Sequence, residues 1–442
     1  MTDDTARRPR GARALTGLAV LALSVAAPRV ATAQAPVPVR LSVFEAVTLA
    51  VERNPAMVAA RAGAEAADAD AVAAALRPNP AVTLDSGGYP IFEPARPGYW
   101  GNSEFMVRID QEWETASRRR LRTDVASAGR TVAQLTVQDR ARQLALDVKR
   151  AYLAAVLAQA DRGVAQTSLD EIDRVIALNR ARLRQGDISG AELRRLQVER
   201  LRFVEDVFGA ELALKNARGA LLALLNASQL DQPLELVDGL KAPPSDVGPV
   251  AAAAAMAARA QGVVGQALET RPDALAARED LRRAETSTRL QRALRRPNVT
   301  VGGGYFNNFG SDGVVFGVTV PLPLFNRNQG GVARADAERR AADARSAATT
   351  MSVRLDVQRA LNAVETNRAR VEYIEREYLT NAQESRDIVL ASYRLGVADL
   401  IDFLDAQRAY RDTQRTYNRA LFDQRISLFD LAAAVGLPDG QP

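Results

Sequence analysis

The stretch VTVPLPLFNRNQGG, residues 318–331, joins two different kinds of structure. Val318 and Val320 alternate with Thr319, the two-residue rhythm of a strand with one apolar face. Pro321 and Pro323 then remove two backbone donors, so neither a sheet ladder nor a helix runs through them. After Gly330-Gly331 about sixty residues follow with no proline and a helical apolar rhythm. At 1.5 Å per residue, a helix from Gly331 to Tyr393 extends roughly 95 Å, longer than an ordinary globular domain. A short strand therefore opens onto a very long helix.

The chain is written twice. NPAMVAAR (54–61) returns as RPDALAAR (271–278), and PAVTL (80–84) returns as PNVTV (297–301), both 217 residues later. RLRQGDISGAEL (182–193) returns as SYRLGVADLIDF (392–403) at an offset of 210, with Gly186 opposite Gly396. Self-similarity in a fixed order marks a repeat architecture. The Pro-, Gly- and Asp-rich stretch 226–250 reads as the joint. The expected division is a first repeat over 34–230, a linker over 231–250, a second repeat over 251–436 and a short tail over 437–442. Each repeat is predicted to run helix, strand, strand, very long helix, tight turn, long helix. The first helix, over 42–76, breaks near Pro55 and is stopped by RPNP at 77–80. Strands are predicted over 81–88, 104–111, 298–306 and 313–320.

The strands alternate. Val82, Leu84, Phe105, Val107, Ile109, Val299, Val301, Val314, Phe316 and Val318 fall on one side. Thr83, Asp85, Met106, Arg108, Asp110, Thr300 and Thr319 fall on the other. This pattern fits a half-buried sheet in a soluble protein, and it equally fits a transmembrane barrel with lipid outside and water inside. The long helices carry heptads: Leu196, Phe203, Ala210, Ala217 and Leu224 in one line, Phe403, Tyr410 and Tyr417 in another. Such spacing is coiled-coil packing. The fold class is mainly α with a small β part.

Composition narrows the chemistry. The 442 residues contain no Cys and no His, which removes disulfides, thiol and imidazole catalysis and the common zinc sites. No catalytic constellation, cofactor motif or metal-ligand spacing stands out. Lysine occurs only at 149, 215 and 241; every other basic residue is Arg. The 58 basic residues face 53 acidic ones with the signs interleaved, so no stripe for nucleic acid is visible. At the N-terminus, Arg7, Arg8, Arg10 and Arg13 precede the apolar run 14–27 and the small-x-small site Ala31-Thr32-Ala33. This is the layout of a secretory signal peptide over 1–33, with cleavage expected before Gln34. No Cys follows that site to carry a lipid anchor.

A Cys-free, twice-repeated chain with two strands and one long helical hairpin per half resembles the TolC family of outer-membrane efflux channels. The most specific marks are the paired tips LRQGDISGAELRRLQ (183–197) and YRLGVADLIDFLDAQ (393–407). VPLPLFNRNQGG adds the strand-to-helix passage of the metal-cation and drug-efflux branches. The resemblance implies a homotrimer in which four strands per chain build a 12-stranded barrel in outer-membrane lipid above a coiled-coil α-barrel crossing the periplasm. Asp85, Arg108, Asp110 and Thr319 are then expected to face the barrel lumen. The resemblance further implies a periplasmic adaptor and an inner-membrane pump, of the resistance-nodulation-division type. The adaptor would dock on Gln185, Gly186, Asp187, Ile188 and Ser189 of one tip and on Leu395, Gly396, Val397, Ala398 and Asp399 of the other. Asp402 and Asp405, with Glu192 and Tyr393, match positions at the narrow periplasmic mouth. Ala398 departs from members with a basic residue there. A solvated helix face is the plain alternative for the two aspartates. The expected function is a passive exit duct for small molecules or metal cations. A type I protein-secretion duct and a periplasmic coiled-coil scaffold or adaptor are the alternatives.

Overall fold

Local chemistry sets the first helices. The computed structural model describes residues 37–88, 103–241 and 262–437; the segment read as a signal peptide, much of the linker and most of the tail lie outside them. After the short strand β1 (Arg40–Leu41), Ser42 caps α1 (Val43–Arg53) through a capping box with Glu45. Asn54 ends α1 and caps α2 (Pro55–Ala75), its side chain accepting the Ala56 N–H at 2.9 Å while Pro55 takes the first helical position. That position needs no N–H, so the proline divides the expected helix without cost.

The chain then makes β2 (Ala81–Gly87), β3 (Glu104–Trp113), α3 (Arg118–Gln185), α4 (Gly190–Leu224) and β4 (Glu235–Leu236). The second half repeats the order with α5 (Val263–Thr270), α6 (Pro272–Ala293), β5 (Val299–Asn308) and β6 (Ser311–Thr319). It ends with α7 (Gln329–Tyr373), a π-helical turn (Ile374–Leu379), α8 (Thr380–Leu395) and α9 (Leu400–Val435). The strands β5 and β6 run closer together than the sequence suggests. Phe309 and Gly310 both take left-handed φ, the two-residue turn that matches strand twist.

The four strands form one antiparallel sheet in the order β2-β3-β5-β6. Every passage between strand and long helix therefore lies at one end of it, where Trp113 pairs with Val299 and Thr300 with Thr319. Both outer strands keep a free edge among the described residues. At this end the chain is clamped. Thr115 Oγ1 donates to the Pro297 carbonyl at 2.7 Å, and the Thr115 N–H to Asn298 Oδ1 at 3.3 Å. Arg119 and Arg122 cap the carbonyl end of α2 at Ala75 (2.7 Å) and Ala74 (2.9 Å). Ala116 and Ser117 adopt left-handed φ between strand and helix, as Asn328 does in the second half. The clamp holds two non-glycine residues in a region costing about 1–2 kcal/mol each.

The largest core lies where the halves meet. Leu41, Tyr152, Leu153, Leu221, Leu225 and Phe429 are buried together. β1 pairs parallel with β4, so part of the predicted linker is a structural strand. Tyr152 ties it down: its hydroxyl donates to the Leu41 carbonyl at 2.9 Å and accepts the Asp238 N–H at 3.1 Å. Each repeat also bonds its own start to its own end. Asn54 donates to the Leu224 carbonyl at 2.9 Å and Asn226 to the Arg53 carbonyl at 3.2 Å. In the second repeat Thr270 reaches the Val435 carbonyl at 2.6 Å, and buried Arg271 reaches Ala434 at 3.4 Å. Arg271 forms a two-pronged pair with Asp273 and bonds Asp356 at 3.1 Å. Burial acts to raise the Asp273 carboxyl, but the guanidinium outweighs it and holds the group below its ordinary range.

The descending helices of the two hairpins differ. The sequence predicts one continuous helix from Gly331 to Tyr393, and the π-turn interrupts it. Above the turn the buried stripe runs Val353, Val357, Ala360, Val364, Val371 and Ile374, at steps of three, four or seven. Continued unbroken, it would fall on Tyr378 and Ile388, yet both are exposed. Below the turn Val389 and Tyr393 join the core instead. A π-turn takes one residue more than an α-turn, so it slips the stripe by one position.

Candidate functional site: the helical tips and the two faces of the sheet

Gly186 and Gly396 end α3 and α8 in left-handed φ, 84° and 76°. After each, paired bonds close the helix: Gly186 to Leu183 and Asp187 to Arg182 in the first tip, Gly396 to Tyr393 and Val397 to Ser392 in the second. This is the Schellman arrangement, and glycine enters it without a Cβ penalty. Three residues on, Ser189 Oγ accepts the Glu192 N–H at 3.1 Å, and Asp399 caps α9. The two repeated tips thus end in the same geometry.

Exposure separates the two tips. Gln185, Asp187 and Ser189 present polar groups in the first; Leu395 and Val397, each 81% exposed, present apolar ones in the second. Asp399 is exposed, whereas Ile188 and Ala398 are half-buried, Ala398 against the tip core. That core contains Leu196, Phe203, Tyr393, Phe403 and Leu404.

Tyr393 sits inside this core. Its ring stacks on Phe403 at 5.5 Å, and its hydroxyl accepts from Asn179 Nδ2 at 2.6 Å. Arg182 donates to the Tyr393 carbonyl at 3.2 Å and lies over the ring. Burial pushes the phenol above its ordinary value. Tyr393 therefore joins the first hairpin to the second within one chain. Asp402 and Asp405 are exposed, on the first two turns of α9. Asp402 completes a capping box by accepting the Asp399 N–H at 3.3 Å, and Asp405 pairs with Arg408 at 3.2 Å. Sequence reasoning missed the cap, although the Asp-x-x-Asp spacing before an apolar run carries its signal. Glu192, half-buried, occupies the third helical position of α4, matching Asp402 in α9.

In the sheet, residues directly opposite share a face. Asp85 lies opposite Met106, Arg108 opposite Thr83 and Gly304, Asp110 opposite Gly302, and Thr319 opposite Thr300. The register therefore brings Asp85, Arg108, Asp110 and Thr319 to one polar face. Arg108 Nε donates to Asp110 Oδ2 at 2.8 Å. The glycines opposite make room: a Cβ on Gly302 would stand 1.9 Å from Asp110 Oδ1, and one on Gly313 would stand 2.4 Å from the Phe306 ring. The other face is apolar and exposed, carrying Val82, Leu84, Ile109, Val314, Phe316 and Val318. Among the described residues no helix is long and apolar enough to cross a membrane, and no acidic cluster has the arrangement of a metal site.

The profile of the outer membrane efflux protein family matches residues 46–227 and 263–437. The cobalt-zinc-cadmium resistance protein CzcC of Cupriavidus metallidurans is 26% identical over 298 residues, 67% of this chain and 68% of that protein. The outer membrane protein OprJ of Pseudomonas aeruginosa is 30% identical over 189 residues, 40% of this chain and 39% of OprJ. The fold matches that of the Campylobacter jejuni CmeC outer membrane channel with a TM-score of 0.73 and 16% identity, covering 89% of this chain and 85% of that one. The chain belongs to the outer membrane efflux protein family. Members of this family are non-enzymatic channels of the outer membrane that reach into the periplasm and work with an adaptor and an inner-membrane pump.

Proposed function

We propose that three copies of this chain form one passive exit duct, and that the sheet is the part that crosses the outer membrane. The observation that carries this is a four-stranded sheet with an exposed apolar face, a polar face and two free edges. In lipid every backbone polar group needs a partner within the protein, so such a sheet spans only when closed. β6 runs towards the helical end and β2 away from it, so β6 of one copy meets β2 of the next antiparallel. Two copies would give eight strands, an interior that side chains fill; three give twelve and a water-filled bore. Asp85, Arg108, Asp110 and Thr319 line it. Residues 1–33 direct export.

The tips dock the adaptor, and a resistance-nodulation-division pump drives transport. Asp402 and Asp405, with Glu192 beside them, ring the periplasmic mouth. Asp402 uses one carboxylate oxygen for its cap, leaving the charge to attract cations. The relative matched over two thirds of its length is named for cobalt, zinc and cadmium resistance, so divalent metal cations lead the proposed cargo, ahead of small organic molecules.

Fractionation and crosslinking test the assembly: outer-membrane recovery as a trimer is expected, and a soluble periplasmic monomer would sink it. For cargo, deletion of the gene should raise intracellular zinc or cobalt. Unchanged metal with raised dye retention would move the cargo to organic molecules.

A further inference from the structure

One end of the sheet is basic and apolar, and the other is acidic. Eight arginines gather where strands pass into helices: Arg77 before β2, Arg118, Arg119, Arg120 and Arg122 after β3, Arg295 and Arg296 before β5, and Arg327 after β6. They come from four separate stretches, and only the antiparallel topology brings them together. Three are used internally: Arg118 on the Leu294 carbonyl, Arg119 on Ala75, and Arg122 on Ala74, Leu76 and Glu114. The other five, Arg77, Arg120, Arg295, Arg296 and Arg327, are exposed, and among the described residues no hydrogen bond or ion pair holds their guanidinium groups. Of the nearby acids, Glu112 accepts from Asn298 and Glu114 holds Arg122, leaving Asp124 further along α3. At the opposite end the described residues 85–88, 103–106 and 306–313 carry Asp85, Glu104 and Asp312 and no basic residue.

Apolar side chains stand beside the free arginines. Phe325 is 92% exposed, with Leu322 and Leu324 next to it and Trp113 on the apolar face of β3. Their segment asks little of water. Pro321 and Pro323 have no N–H to satisfy, and Leu324 bonds the Leu322 carbonyl at 2.9 Å in a three-residue turn. Charged groups at a lipid–water boundary extend their heads to the surface while apolar neighbours enter below, and a guanidinium matches two phosphate oxygens.

We propose that this rim binds the phosphodiester headgroups of the phospholipid leaflet facing the periplasm, with a preference for anionic lipid. The proposal rests on the reading that the sheet crosses the outer membrane. The rim fixes the depth at which the strands sit: arginines on phosphates, Phe325 and the leucines just inside the acyl boundary.

Trp113 supplies the probe. In a Trp100→Phe background, the full-length protein is placed in vesicles of phosphatidylcholine with a minor fraction of phosphatidylglycerol, one lipid at a time carrying brominated chains. Quenching of Trp113 reports which lipid lies beside the rim. Bromophosphatidylglycerol is expected to be enriched about tenfold or more over its bulk fraction, given five arginines near the surface. Changing all five to Gln should bring quenching to the bulk value, and changing all five to Lys should keep part of the enrichment. The Lys set decides the matter if the Gln set does not insert. No enrichment in the starting protein, or equal enrichment in the Gln set, overturns the proposal. Loss of enrichment to inorganic phosphate at matched ionic strength would assign the arginines to a free anion instead. Dissociation of the Gln set into monomers with lipid preference unchanged would assign them to a neighbouring copy. Protein that fractionates with the outer membrane but shows no preference sinks this inference alone; protein that never reaches that membrane sinks the reading beneath it.

Discussion

The first hairpin descends as one uninterrupted helix of 68 residues, and the second descends through a π-turn at 374–379. Their tips are closed by the same bonds, so the difference does not lie in how the turns are made. It lies in which face arrives at the tip. The slip of one residue exposes Tyr378 and Ile388 and delivers Tyr393 to Asn179 and Phe403. Sequence duplication made two hairpins alike, and a single extra residue per turn aims the second at the first.

The sharpest way to break this contrast is to add a second slip. Inserting one alanine after Asn381, just below the π-turn, should turn the rest of α8 by about 100° and rotate Tyr393 out of the tip core. The expected loss matches removal of a buried aromatic side chain, about 3–5 kcal/mol. Chemical denaturation, with proteolysis of the tip as a second readout, checks it. A wild-type midpoint would mean the turn does not set the register.

The repeats also close differently, the first with neutral Asn54 and the second with Arg271. Arg271→Ala strands Asp273 and Asp356 beside the core and should cost about 3 kcal/mol. Asn54→Ala should cost roughly 0.5–2 kcal/mol, the range of a helix cap. Only the second closure should respond to acid. The Asp273 pKa is lowered in the folded chain, so its contribution is present above the unfolded value and is lost as pH falls through the folded one. Amide exchange at the α5–α6 junction should accelerate below about pH 4, while the α1–α2 junction keeps its protection. Equal acceleration at both would remove the distinction.

At the tips the comparison should give near-equality. A Cβ on Gly186 or Gly396 meets open space, so only backbone strain opposes alanine. Each substitution should cost about 1–2 kcal/mol. If adaptor pull-down falls for Gly396→Ala and not for Gly186→Ala, the apolar tip with Leu395 and Val397 dominates docking. The smallest effect concerns the caps. Asp402→Ala breaks a capping box and should cost about 1 kcal/mol, whereas Glu192→Ala leaves the Ser189 cap intact and should cost less. In a planar bilayer, Asp402→Ala with Asp405→Ala should also relieve block by multivalent cations. Unaltered block would leave both aspartates as a capped, solvated helix face.

What could be read from the sequence was whatever a few adjacent residues decide. Pro55, the RPNP stop and the two tip glycines act within one turn of chain, and the strands announce their faces by alternation. The π-turn leaves no such mark, because both frames are furnished with apolar groups: Tyr378 and Ile388 in one, Val389 and Tyr393 in the other. Ala116 and Ser117 give no hint of left-handed backbone, since the clamp that holds them comes from Pro297 and Asn298, far along the chain. The basic rim was invisible for the same reason. Its arginines stand in four separate stretches, one of them the run Arg118-Arg119-Arg120, and those stretches meet only through the order of the strands.

The clamp at Thr115 has a mechanical side. A helix of 68 residues at 1.5 Å per residue is an arm of about 100 Å, so each degree of tilt at its root swings the far end by about 1.8 Å. Docking a partner at the tips asks for placement within a hydrogen bond's tolerance, a fraction of that arc. The stiffness that the proposed docking requires begins at the shoulder, where Thr115, Arg119 and Arg122 lash the start of α3 to Pro297 and to the end of α2. The core around Tyr152 and Leu153 then holds the same helix at mid-length, so three side chains at one extremity share with that core the task of aiming the other.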